Sequence, residues 1–325
     1  MYILMPMDKR YIITAHDYPE QLKRMIDRLS DENSTFYIHV DLKSDITRFK
    51  NIVSNTNVRF INTRVDCIWG DISQVTATLN LLEVAMKDAP KNSMIIFISG
   101  QDYPIKSPKY IDAYLESHGE YDFLDYTTTP IPKDSDIYRT RVKKYKINLS
   151  SQREDFVILD SIFSFNPGNL KTILQLLVKG KLRAKDFFML FNPKRKSIFK
   201  EHYKGTNWFC LTRATLEKIM AYLDLHKDRL LKYYRYTLCP DEQIFHTILH
   251  EIMKEDKTIK LMDNLHFVDW ERKNVPLPVT FSKEDKGLLL DQPEHKLFAR
   301  KFRMDVDGEI LDLIDQKVQS RSVAP

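Results

Sequence analysis

Apolar and polar positions follow two rhythms through the first hundred residues. Residues 10–15 form an apolar, β-branched run, Pro19–Leu29 has helical spacing, and residues 35–40 are strand-like again before a turn at Asp41-Leu42-Lys43-Ser44. Residues 58–62 read as a short strand. After Trp69-Gly70-Asp71, the residues Ile72, Val75, Leu79, Leu82 and Met86 fall on one helical face, with Asp71 as the N-cap. Ser93–Ser99 is continuously apolar, as in a strand buried on both faces of a parallel sheet. This β-α-β alternation predicts an α/β fold with a central, mostly parallel sheet flanked by helices.

The second half is less regular. The pattern predicts a strand at 208–211, helices at 214–223 and 226–234, and a helix whose first turn holds Asp241 and Glu242 behind Pro240. A strand-like run at 259–268 ends at Asp269-Trp270. A last amphipathic helix carries Ile310, Leu311, Leu313, Ile314 and Val318. No repeat, low-complexity tract or linker interrupts the chain, so one large fold over 1–325 is expected, with an α/β half over 1–130 and a second half over 205–325.

Composition narrows the class. With 325 residues and 43% hydrophobic content the chain can bury a large core. Its eight glycines form neither a Gly-x-Gly-x-x-Gly turn nor a Gly-x-x-x-x-Gly-Lys loop, which argues against dinucleotide oxidoreductases and P-loop NTPases. Three widely separated cysteines, Cys67, Cys210 and Cys239, fit free, mostly buried thiols in a reducing compartment. The N-terminus lacks a signal-peptide pattern and no run reaches the ~20 apolar residues of a membrane span, so a cytoplasmic chain is expected.

Charge is concentrated. Residues 139–205 hold 16 Lys and Arg against 5 Asp and Glu, a net +11 in a chain of net +5. The segment reads as solvated surface, a nucleic-acid patch or an attachment site for anionic lipid. Nucleic acid is set aside because no recognisable binding module accompanies the charge.

In α/β sheets ligands bind beyond the carboxyl ends of the strands. His39 and Asp41 follow one strand, and Gln101 and Asp102 another; each is a site candidate or simply turn chemistry. Glu242 is a candidate general base, or with Asp241 the decoration of a helix N-terminus, where the dipole favours negative charge.

Taken in order, several segments resemble the core-2/I-branching glycosyltransferase family, which includes branching β-N-acetylglucosaminyltransferases and peptide O-xylosyltransferases. They are His16 with Pro19-Glu20-Gln21, then His39-Val-Asp41-Leu-Lys43-Ser44, Trp69-Gly70, and Ser99-Gly-Gln-Asp102-Tyr-Pro104. Further on come Gly205-Thr-Asn207-Trp208-Phe209, Pro240-Asp-Glu242, Asp269-Trp270 and Leu297-Phe-Ala-Arg300-Lys301-Phe302. Residues 139–204 carry almost none of the resemblance.

The resemblance implies a GT-A-like fold that transfers a sugar from a UDP-sugar with inversion. It places the general base on Glu242, the diphosphate-binding cations on Arg300 and Lys301, and nucleotide contacts around Asp41 and Lys43. Asp102, Asn207, Trp208 and Trp270 match positions near the acceptor and the transferred sugar. The chemistry agrees: a sugar hydroxyl needs a carboxylate to take its proton. The departing UDP needs fixed cations or a metal, and Arg can offer a fork and Lys a compact charge.

Many GT-A enzymes hold a divalent ion with Asp-x-Asp at a strand end. Here Ser99-Gly100-Gln101-Asp102 has a single acid, and Asp305-Val-Asp307 reads as the cap of the last helix. Like the family's metal-independent members, the chain is expected to need no metal or other cofactor. His246 and His250 share a helical face, but the residues between them lack the Glu of a His-Glu-x-x-His zinc site and predict packing or helix-surface histidines.

The expected donor sugar is N-acetylglucosamine in β linkage, with UDP-xylose as the alternative; a non-catalytic carbohydrate- or polyanion-binding protein is the reading from another class. The expected acceptor is a glycan, free or lipid-linked, with the basic segment in peripheral contact with the anionic inner membrane face and no nucleic-acid partner.

Overall fold

The structure is a computed structural model describing residues 6–125 and 127–321, with side chains as far as 317. The first five residues and the Val318 side chain lie outside the described residues.

The chain opens with β1 (Asp8–Ala15), α1 (Pro19–Leu29), β2 (Ser34–Val40), α2 (Ile46–Ile52), β3 (Val58–Phe60), α3 (Ile72–Met86) and β4 (Ser93–Ser99). β5 (Asp102–Pro104), α4 (Pro108–Ser117) and β6 (Asp122–Leu124) follow. The basic segment holds β7 (Tyr145–Asn148), β8 (Phe156–Leu159), α5 (Pro167–Val178) and α6 (Ala184–Met189). Then come β9 (Phe209–Thr212), α7 (Arg213–Tyr234), α8 (Ile244–Glu255), β10 (Leu261–Met262), β11 (His266–Val268), α9 (Lys286–Leu290), β12 (Phe298–Arg300) and α10 (Glu309–Arg321).

Seven strands form the central sheet in the order β10-β6-β9-β4-β1-β2-β3. All neighbours run parallel except β9, which is antiparallel to β4 and β6. The expected α/β fold with a mostly parallel sheet flanked by helices is thus the observed one. Alternate side chains serve opposite faces. Tyr11, Ile13, Ile38 and Ile96 pack with α1 and α10, whereas Ile12, Tyr37, Ile95 and Phe97 pack with α3, α7 and α8. Each fully buried Ile or Leu is worth about 1.5–3 kcal/mol, which makes this double-faced core the main source of stability. Asp71 caps α3 as expected, accepting from the Ser73 N–H at 2.9 Å.

Three local expectations are corrected. α7 is one helix rather than two, because the polar stretch after Leu223 is its solvent face and Leu223 and Leu230 both reach the core. The run at 259–268 divides into β10 and β11, which join different sheets. Asn264 breaks it by turning its Oδ1 back onto the His266 N–H, 2.8 Å away. Third, Asp241 and Glu242 are not in the first turn of α8; they occupy a separate 3-10 turn, Pro240–Glu242.

The basic segment is a folded lobe with its own small core, in which Tyr145, Ile147, Leu159, Ile173 and Leu176 pack with Tyr236. Arg195, from its most basic run, is a structural pin: it donates to Lys144 O at 2.6 Å, Tyr233 O at 2.7 Å and Thr237 Oγ1 at 2.6 Å. Its guanidinium lies 4.4 Å from the Tyr233 ring centroid. The three cysteines are free, and Cys210 and Cys239 are buried. No described helix is long and apolar enough to cross a membrane.

Candidate active site

Parallel register brings the strand ends together. Ala15 pairs with Val40 and Thr14 with Ser99. The Asp41 and Gly100 N–H groups continue the ladder to Ala15 O at 2.8 Å and Thr14 O at 3.0 Å. His16, Asp41 and the 99–102 loop therefore share one edge.

A three-stranded sheet, β11-β12-β5, stands beside that edge and sets Arg300 directly opposite Asp102. Asp102 is fully buried, and its carboxylate accepts the Ser99 N–H at 2.7 Å, the Ser99 hydroxyl at 3.0 Å and Arg300 Nη1 at 2.9 Å. Burial alone would push the Asp102 carboxyl up. The Arg300 charge, with a contact to His266, more than offsets this and holds it below the usual range. Asp102 is thus the fixed counter-charge of Arg300 rather than an open sugar ligand. The Arg300 guanidinium also lies 5.0 Å from the Trp208 ring centroid.

Lys301 differs from its neighbour. Its backbone is held by Val279 O and the Phe281 N–H, but its ammonium makes no hydrogen bond or ion pair among the described residues. Burial lowers its pKa first, followed by the charges of Arg300, Arg303 and Arg153. Asp305 opposes them weakly, so Lys301 sits in a net positive surrounding. Gln21, buried in α1, braces the arrangement: its amide donates to Gly100 O at 2.9 Å and Phe302 O at 3.1 Å and accepts the Met304 N–H at 3.0 Å. Sequence reading recorded Gln21 only as part of a motif.

Glu242 is held from three sides. Cys239 enters its turn in the left-handed region at φ 50° and donates its N–H to Gly70 O at 3.1 Å. The Gly205 N–H donates to Glu242 O at 3.0 Å, an approach only glycine allows, since a Cβ there would overlap His246 and Asp125. The side chain accepts Arg141 Nη1 on Oε2 at 2.5 Å, with Lys204 Nζ 3.8 Å from the same oxygen. Among the described residues no donor reaches Oε1. Arg141, from a π-helical turn at Tyr138–Lys143, and Lys204 belong to the segment read from sequence as basic surface. Only their charge signalled them.

Asp241 is buried, so it does not decorate an exposed helix end. Its Oδ1 has no partner among the described residues, and burial, reinforced by Glu242, raises its carboxyl to about 7. The folded-state value lies above the unfolded one near 4, so the protonated form contributes stability that is complete at low pH and lost as pH rises toward 7. Asp241→Asn is accordingly expected to stabilise the protein by up to about 4 kcal/mol at about pH 8 and by little at about pH 4, read by urea unfolding at both. An equal effect at both pH values would overturn this assignment.

The remaining predicted residues separate. Trp208 is buried, stacked on His266 with ring centroids 5.2 Å apart and packed against Phe97 at 5.3 Å, so it supports Arg300 and does not present an open ring. The Asn207 side chain beside it makes no hydrogen bond among the described residues. Trp270 is half exposed on a loop pinned by Asp269, whose Oδ1 accepts the Glu271 and Arg272 N–H groups, and by Arg272 Nη2 to Asp285 Oδ1 at 2.7 Å. Trp69, noted from sequence only as part of the Trp69-Gly70 motif, is also partly exposed, with Arg153 5.2 Å from its ring centroid.

Asp41 uses both carboxylate oxygens on backbone, accepting the Lys43 N–H at 2.9 Å and the Cys67 N–H at 3.2 Å. Lys43 Nζ is engaged by Asp66 and by Cys67 O at 2.6 Å. Their turn chemistry is therefore visible. His246 is buried with both ring nitrogens unpartnered among the described residues, and burial lowers its pKa to about 3, which makes it a neutral packing histidine. No cluster of three or more His, Cys, Asp or Glu suited to a metal ion occurs among the described residues. Asp307 caps α10 as expected, accepting the Glu309 N–H at 2.9 Å.

Residues 11–288 match the family model described as Core-2/I-Branching enzyme. The chain belongs to the Core-2/I-Branching enzyme family. This is the glycosyltransferase family its ordered motifs resemble, and the matched range includes Glu242 but stops before Arg300-Lys301. Among curated relatives, this Core-2/I-Branching family member is 24% identical over 330 residues to xylosyltransferase 2 of Homo sapiens, covering 95% of this chain and 33% of that protein. It is 23% identical over 330 residues to xylosyltransferase 1 of Rattus norvegicus, covering 95% of this chain and 35% of the relative. The chain thus spans about a third of the length of the curated relatives it matches. A solved cytidylyltransferase from Leptospira borgpetersenii aligns over 97% of this chain and 96% of its own at 12% identity, with a TM-score of 0.33, too slight a likeness to carry an argument.

Proposed function

We propose that the protein is an inverting glycosyltransferase of GT-A type that moves a sugar from a UDP-sugar to a glycan hydroxyl. The observation that carries this reading is the strand pairing that holds Arg300 on buried Asp102 and sets Lys301 beside it with no hydrogen bond or ion pair on its ammonium among the described residues. In the proposed reaction Arg300 and Lys301 bind the diphosphate and stabilise its charge as the bond from the anomeric carbon to UDP breaks. The acceptor oxygen attacks the opposite face, and its proton passes to Oε1 of Glu242 while Oε2 stays anchored by Arg141. Asn207 and Trp270 are proposed to contact sugar, and the Asp41–Lys43 turn the nucleotide.

No metal is assigned a role. Asp102, at the strand end where an Asp-x-Asp acid would face a divalent ion, is occupied by Ser99 and Arg300, and Arg300 and Lys301 are proposed to supply positive charge instead of such an ion. UDP-N-acetylglucosamine is the first donor proposed. UDP-xylose is the second, and the named xylosyltransferase relatives favour it. One experiment addresses both points: UDP release and product linkage measured with a panel of UDP-sugars and glycan acceptors, with and without EDTA. Turnover with one of the two donors, unchanged by EDTA, is expected. Loss in EDTA restored by manganese would overturn the metal-free reading, and no release from any donor would favour a binding protein.

A further inference from the structure

The basic lobe exposes an apolar surface that its own core does not use. On α5, Ile173 and Leu176 face inward, while Leu170, Leu174, Leu177 and Val178 are exposed at spacings of four, three and one, which is a second helical stripe on the outside. At the flanks, Phe165 is 79% and Phe188 68% exposed, and Phe188 meets Phe191 in a surface aromatic cluster. Single exposed apolar residues are ordinary, but a cluster on one small lobe marks an interaction surface.

Charge identifies what it meets. Residues 161–200 contain nine Lys and Arg, of which all but Arg195 are exposed. The one acid in this stretch, Asp186, is buried and accepts the Tyr236 hydroxyl at 3.0 Å. Lys171 rises from α5 itself, and Lys179, Lys181 and Lys185 follow directly after it. A second copy presenting the same face would oppose cation to cation. A nucleic acid offers nothing for an aliphatic Leu-Val stripe to enter.

We propose that the α5–α6 face docks on an anionic lipid bilayer, its Leu, Val and Phe side chains entering the boundary between headgroups and acyl chains and its lysines meeting anionic headgroups. The surface rests on exposure and charge in the lobe and is independent of the reaction proposed above. It gives an acceptor carried on lipid a route to the site, because the same lobe supplies Arg141 and Lys204 to Glu242.

The test is sedimentation of the full chain with vesicles of phosphatidylcholine alone or with about one third phosphatidylglycerol. Binding is expected only to the anionic vesicles and to weaken with salt. At about 1 kcal/mol for each cation, Lys179→Gln with Lys181→Gln should lower vesicle affinity roughly 25-fold. Leu174→Ser with Val178→Ser should lower it about 10-fold or more. All four side chains are exposed, so unchanged thermal unfolding and unchanged UDP release from a soluble acceptor assay would show that the lobe is intact. No binding to anionic vesicles at low salt would overturn the proposal. So would equal binding to neutral vesicles, or a concentration-dependent dimer that Leu174→Ser with Val178→Ser abolishes.

Discussion

Glu242→Gln is expected to bind UDP almost normally and to turn over about 10²-fold or more slowly. The substitution keeps the shape of the side chain and an oxygen able to accept Arg141 Nη1, and it removes the capacity to take a proton. Arg141 and Lys204 then lose a charged partner, but both side chains are partly exposed, at 17% and 32%, so the loss should disturb the fold little. The turn has its own supports in the Cys239 to Gly70 and Gly205 to Glu242 backbone bonds. A fall in turnover with little change in UDP affinity therefore separates chemistry from binding. Near-normal turnover would rule Glu242 out as the base. A matched loss of UDP affinity would instead assign it to donor binding.

The central sheet was legible because parallel, doubly buried strands are written as unbroken apolar runs, as in Ser93–Ser99. The Asp71 and Asp307 caps were legible because each lies two residues before an N–H it accepts. What escaped prediction depends on distance in sequence. Arg141 reaches Glu242 across 101 residues, and Asp102 reaches Arg300 across 198. No local pattern distinguishes such partners from solvated charge. Burial was equally hidden: Asp241 and Glu242 are adjacent acids, yet one is enclosed with Oδ1 unpartnered among the described residues and the other faces Arg141. The resemblance pointed to the strand end at Asp102, but only the antiparallel pairing of β5 with β12 shows that its carboxylate belongs to an arginine. The resemblance put Trp208 near the acceptor and the transferred sugar, and the structure covers its ring with His266, Phe97 and that same arginine.

Arg300→Met should have two effects that a second substitution separates. The first is on the donor: losing forked, charge-assisted contacts worth about 1.5–3 kcal/mol each should raise the donor KM by about 10²-fold. The second is on stability, because Asp102 is left fully buried without its cation, at a cost of about 3 kcal/mol or more. In the native protein the lowered Asp102 value contributes stability present above the unfolded-state value near 4 and lost as pH falls through the folded one. Without Arg300, burial instead favours the protonated acid, so the stability deficit of the variant should shrink as pH falls. Arg300→Met combined with Asp102→Asn removes the stranded charge and should recover most of the stability, measured by urea unfolding, while the donor KM stays high. Recovery of both would mean that Arg300 acts only as a structural partner of Asp102 and that the diphosphate is held elsewhere. Recovery of stability alone assigns the guanidinium two separate tasks, one toward the buried carboxylate and one toward the leaving group.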